Sequence, residues 1–326
     1  MKRVALFALL LSGCGRYRDF TLPPPGGQPV SVSIQWAPRP EPVLSRGALG
    51  EWDSGDVLNP SVVKTSNGYL NLYSGFDGKT WRTGLASSRD GVAWRKMGVV
   101  LAPAQDEYIA ANGSLVLFRN QPIYYYQSAR TPRILLARQT HDKWKNEATP
   151  ILLPGPRGSW DELGAADPYV FAAGGNLYMY YLGMDRAHRQ RLGVAVSQDS
   201  VTWYKLRTNP ILEIGDYGAF DENGLGEPAV WNMHGWYWML YTGRARGEQR
   251  KLGIARSPDG VHWTKLPDVF SGDQPWNSQV ICDATVLVDA EEDRVRVWFG
   301  GGDVPRPDEN IHGQIGYGEL FVRPTR

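Results

Sequence analysis

The feature that most constrains this 326-residue chain is a short motif that recurs five times. Apolar stretches carry one acidic or amide residue at a fixed place: VLNPSVV (57–63), AANGSLV (110–116), AADPYVF (165–171), LGEPAVW (225–231) and ICDATVL (281–287). The shared slot holds Asn59, Asn112, Asp167, Glu227 and Asp283, at intervals of 53, 55, 60 and 56 residues. A period near 50 residues with several strands per repeat is the signature of a propeller or array. Five copies predict an all-β chain, a five-bladed β-propeller with one slot side chain per blade turned toward a common axis.

Each slot strand is followed by an aromatic strand: YLNLYSG, PIYYYQSA, NLYMYYLG, WYWMLYTG and RVRVWFGG. Short runs enriched in aromatic and β-branched residues read as strands. Asn67-Gly68, Gly174-Gly175 and His234-Gly235 supply the tight hairpins. Three of the third strands run into Ser-x-Asp-Gly/Ser-x-x-Trp (SSRDGVAW, SQDSVTW, SPDGVHW), whose tryptophans are expected to pack between blades. Fourth strands follow Trp144 and Trp203, and the same spacing occurs once early, from Trp36 to Leu44, while the last repeat stops after its third strand. The N-terminal segment is therefore expected to join the last blade and close the fold. Six residues before each slot stands Trp52-Asp53, Asp106, Trp160-Asp161, Phe220-Asp221 or Trp276-Asn277. Trp52 and Trp160 are candidates to stack on a sugar ring; packing between blades is the competing reading, and recurrence favours it.

The first residues read as an export signal over 1–13: Lys2 and Arg3, then an apolar run too short to span a bilayer. The sequence LSGC resembles a bacterial lipobox, which implies lipidation at Cys14 and attachment to the cell envelope, the outer membrane in a Gram-negative cell. Residues 14–30, rich in Pro and Gly, read as a tether, leaving 31–326 as the propeller. With 35 basic and 34 acidic side chains, bulk charge gives nucleic acid no hold, and the lipid is the one expected membrane contact. Cys282, the other cysteine, reads as a small buried hydrophobe. Nothing marks an oligomer, and a monomer is expected.

Taken together, Asp167-Pro168 in blade three, Glu227-Pro228 in blade four and the Ser-x-Asp-Gly-x-x-Trp hairpins resemble the five-bladed propeller glycosidases, especially glycoside hydrolase family 43 and its relatives. The resemblance implies Glu227 as general acid and Asp167 as the residue that orients it and tunes its pKa. The blade-one position, where the family places a carboxylate base, holds Asn59, and an amide cannot take that proton. Asp56 and Asp283 are the candidate substitutes, and Asp53 a third. An inverting pair would stand roughly 6.5–9.5 Å apart. Asn59, Asn112 and His312 are expected to contact a carbohydrate. No cofactor and no metal is expected, since no dense ligand cluster accompanies His312. The implied activity is hydrolysis of polysaccharide side chains, arabinofuranosides or xylosides at the level of the family. A surface carbohydrate-binding lipoprotein without turnover is the main alternative, motivated by Asn59; a partner-binding propeller is a third. Fructan hydrolases share the scaffold but begin with a different blade-one aspartate motif, and phosphorolytic relatives acting on mannosides stay open.

Overall fold

The computed structural model describes residues 16–141 and 143–325; the signal segment and Cys14 lie outside them. Among the described residues the regular structure is strand apart from two short 3-10 turns at Pro275–Asn277 and Ala290–Glu292. Each slot motif opens an antiparallel meander. The first runs Asp56–Thr65, Gly68–Phe76, Trp81–Ser88 and Trp94–Leu101; the second Ala110–Phe118, Gln121–Ser128, Arg133–Thr140 and Lys143–Asn146. The third runs Gly164–Ala173, Asn176–Met184, Gln190–Ser197 and Tyr204–Leu206. An eight-stranded sheet holds the rest. Gly224–Met233, Trp236–Arg244, Arg250–Ser257 and Thr264–Phe270 form one half, and Val280–Asp289, Arg294–Gly302, Gln314–Pro324 and Val32–Pro38 the other. The halves meet through one parallel bridge, Arg250 to Val280.

The slot strands contact one another in cyclic order. Asp56–Thr65 lies beside Ala110–Phe118, then come Gly164–Ala173, Gly224–Met233 and Val280–Asp289, which returns to Asp56–Thr65. Among the described residues no sheet closes on itself by hydrogen bonds. Side chains lace the slot strands instead: Ser61 Oγ accepts the Leu115 N–H at 2.7 Å and Ser114 Oγ the Val170 N–H at 2.9 Å. Farther out, the hairpins that follow the third strands are gripped by aromatic side chains of a neighbouring sheet. Trp298 Nε1 donates to the Gly91 carbonyl, the Tyr125 hydroxyl to that of Ser200, and the Tyr180 hydroxyl to that of Gly260. Asp90 shapes the first of these turns by accepting the Val92 and Ala93 N–H groups, which hold its carboxyl at about 2. Trp203 packs edge-on against Tyr125 and Trp263 against Tyr180, so these tryptophans lie between sheets.

Two expectations need correction. Residues 17–30 are no free tether. Tyr17–Arg18 pairs in parallel with Lys205–Leu206, Leu22 is buried against Gly260, and the Tyr237 hydroxyl holds the Pro23 carbonyl. Apolar Leu22 and Pro23 give this segment surface to bury, which a Pro/Gly count does not register. Trp52 and Trp160 do not line the cavity. Each lies across its own sheet, Trp52 over Gly75 and Gly84 and Trp160 over Gly183 and Gly193, where a methyl group would collide with the ring. The aspartate after each ring is buried and bound twice: Asp53 by Tyr73 and Lys96, Asp161 by Tyr181 and Lys205. Asp221 repeats the pattern with Tyr241 and Lys265.

Candidate active site

Every slot residue is a bulge. Pairing of each slot strand with its neighbour slips between Leu58 and Ser61, Ala111 and Ser114, Ala166 and Tyr169, Gly226 and Ala229, and Cys282 and Thr285. Within each slip the slot residue is left-handed: φ is 46° at Asn59, 51° at Asn112, 45° at Asp167, 48° at Glu227 and 54° at Asp283. A side chain there costs roughly 1–2 kcal/mol, least for Asn and Asp. Bulges re-aim side chains, and here all five line one cavity of about 430 Å³.

The carboxyls form one electrostatic unit. The Asn112 side-chain amide donates to Asp167 at 3.3 Å, and the Asn59 backbone N–H to Asp283 at 3.2 Å. Burial and the neighbouring Glu227 push Asp167 up to about 8. The same two causes raise Asp283 well above the usual carboxylate range. Both acids are therefore biased toward the protonated form beside Glu227. Glu227 Oε2 has no hydrogen-bond partner among the described residues. Ligand atoms of Glu227, Cys282 and Asp283 lie within 4.8 Å of one another. That spacing is too short to hold a water between Glu227 and Asp283 as an inverting pair does. The Arg250 guanidinium interacts with all three and opposes a cation there. Cys282 is buried, and burial raises its thiol, which suits a packing role and not a nucleophile.

Other candidates from the sequence stand away from the cavity. Asp56 is buried and accepts the N–H groups of Asn310 and Gly313, so it anchors the 310–313 loop and is no base. His312 is exposed and pairs with Asp303 at 2.8 Å. The cavity wall instead brings in Trp81, Tyr108, Gln127, Arg130, Gln190, Arg250 and Asp308. Trp81, Gln190 and Arg250 are each the first residue of a third strand. The residue type changes from copy to copy at that position, so the repeat did not mark it, and the loop residues left no periodic trace either.

Against known proteins, residues 69–300 match the family model described as glycosyl hydrolases family 32 N-terminal domain. The match begins beyond Asn59. An uncharacterised protein of Mycobacterium tuberculosis is 30% identical over 162 residues, 47% of this chain and 52% of that protein, so the chain spans about half the length of the curated relatives it matches. Among solved structures, one is described in work on family 130 mannoside phosphorylases and glycoside hydrolases that target β-1,2 mannosidic linkages in Candida mannan. It superposes with a TM-score of 0.68 at 16% identity, covering 93% of this chain and 96% of that one. An α-L-arabinofuranosidase from Lactobacillus brevis gives 0.60 at 14% identity, covering 82% and 91%. These likenesses are to the propeller fold of glycosidases. With the family model spanning most of the described sheets, the chain belongs to the glycosyl hydrolase family 32 N-terminal domain family.

Proposed function

We propose that this protein is an exported glycoside hydrolase that acts on polysaccharide side chains through Asp167, Glu227 and Asp283 at the hub of a five-bladed propeller closed by Val32–Pro38. The blade count is supported by the five slot strands in cyclic contact, and the closure by antiparallel pairing of Val32–Pro38 with Gln314–Pro324. The observation that carries the function is the meeting of three carboxyls from separate repeats in one cavity, where burial and Glu227 favour protons on the two aspartates. Arabinofuranosides or xylosides are the substrates to try first.

In this reading Glu227 and Asp283 share one proton, and Glu227 delivers it to the glycosidic oxygen as the C–O bond breaks. The carboxylates left in the pair stabilise positive charge at the anomeric carbon. Water adds its hydroxyl there, and its proton returns to the pair. Asp167, beside Glu227, orients it. Purified protein is expected to release sugar from a panel of arabinofuranosides, xylosides and mannosides, and Glu227→Gln to lower the rate by about 10²–10⁴. An unchanged rate in that variant removes Glu227 from this role.

A second reading rests on Asn59. Its amide occupies the rim where the resemblance places a carboxylate, and its backbone is already engaged with Asp283. A carbohydrate-binding protein without turnover would bind the same glycans and release nothing, whereas turnover by the unaltered protein ends that reading. Cys14 is proposed to carry a lipid that holds a monomer at the cell envelope. Cys14→Ser is expected to move the protein from the membrane fraction to the soluble one.

A further inference from the structure

The main cavity has an annex of about 50 Å³ lined by Gln190, Thr242, Arg244, Arg250 and Asp308, with Glu227 and Asp167 at its junction with the main space. The proton transfer above does not account for Arg250. It is buried, yet among the described residues its guanidinium makes a single hydrogen bond, from Nη2 to the Arg306 carbonyl at 2.8 Å. Arg244 behind it gives one Nη to Gln190 at 2.6 Å and pairs the other with Glu248 at 3.5 Å, while its Nε is buried with no partner. A guanidinium carries five donors in a planar fork matched to an oxyanion. The Nε and Nη1 of Arg250 are not sealed in protein, so a ligand in the annex can complete the fork. The annex holds a few water-sized groups, enough for a carboxylate and too small for a second sugar. Burial and the neighbouring Glu227 bias Asp167 and Asp283 toward the protonated form, which lowers the negative charge an incoming anion meets beside Glu227 and Asp308.

We infer that the glycan taken by this site carries a carboxylate, a hexuronic acid seated over Glu227, and that Arg250, backed by Arg244, grips that carboxylate. The inference rests on the glycan-processing reading of the cavity and narrows its substrate class. Calorimetry separates the two, using wild type and Arg250→Gln against three probes. These are oligosaccharides ending in a hexuronic acid, the same oligosaccharides with that carboxyl reduced to the neutral hexose, and inorganic phosphate. Wild type is expected to bind the acidic form roughly tenfold or more tighter than the reduced form, and Arg250→Gln to erase the difference while keeping the weaker neutral binding. Arg250→Lys, which keeps the charge and loses the fork, is expected to recover only part of the preference. Equal or better wild-type binding of the reduced form overturns the inference and leaves the glycan site standing. Binding of phosphate without either sugar also overturns it, as a plain oxyanion site. Binding of no probe overturns the inference and the glycan site together. Because the wild-type comparison decides the matter, a variant that fails to fold does not.

Discussion

Glu227 combines two features that seldom coincide: a long side chain on a left-handed backbone, and a carboxylate oxygen without a partner. Its strain is separable from its charge. Glu227→Ala and Glu227→Gly both remove the carboxyl, but only the alanine keeps a Cβ at φ 48°. The glycine variant is expected to be more stable than the alanine variant by about 1 kcal/mol in urea unfolding. Asp167 allows a test by pH. Its folded pKa, about 8, lies above the usual carboxylate value of 3.8. Between those values the folded protein holds a proton that the unfolded chain has released, so the Asp167 contribution is fully present in acid and is lost as pH rises toward 8, by about 1.4 kcal/mol per pH unit at most. Asp167→Asn cannot ionise. Relative to wild type its melting temperature is expected to improve steadily from pH 4 to pH 8; a constant offset would show that Asp167 is not buried as a neutral acid. The slot positions themselves were legible as the one polar place in five apolar runs. Their left-handed backbone was not, because no glycine marks it. Arg250 was equally silent, as the first residue of an unremarkable third strand.

Within single elements, the buried aspartate behind each aromatic ring is a second repeated device, and its copies differ in access to solvent. Asp161 and its partner Lys205 are both buried, whereas Lys265, the partner of Asp221, is 29% exposed at its side chain. Removing one member of a dry pair strands a charge, while water reaches the more open one. Lys205→Met is expected to cost about 3 kcal/mol and Lys265→Met about 1 kcal/mol, read from the two unfolding curves. The same element shows why Trp52 and Trp160 pack and do not offer a sugar platform. Each ring is received by two glycines on adjacent strands, set diagonally: Gly75 stands opposite Arg82 and Gly84 opposite Tyr73, as Gly183 stands opposite Arg191 and Gly193 opposite Tyr181. That floor appears only once the strands are in register.

For the whole molecule, the two segments ahead of the first slot strand, 17–30 and Val32–Pro38, do unequal work. Val32–Pro38 pairs along its full length with Gln314–Pro324, and Trp36 packs against Phe270 and Phe299. A chain beginning at residue 39 exposes that partner edge and is expected to aggregate without a cooperative transition in calorimetry. A chain beginning at residue 31 loses only the strap over residues 17–30. It is expected to keep one transition, shifted down by a few degrees. The repeat made the architecture readable because five copies vote on one pattern, whereas the strap occurs once and had only its composition to speak for it. The five kinks on the inner rim have a wider consequence. Each arises from a slip in its own ladder, yet the Asp283 side chain holds the Asn59 N–H and the Asn112 side chain bridges Ser74 and Asp167, so the sockets are coupled to their neighbours. Re-specifying the chemistry of this rim therefore means changing adjacent sockets together.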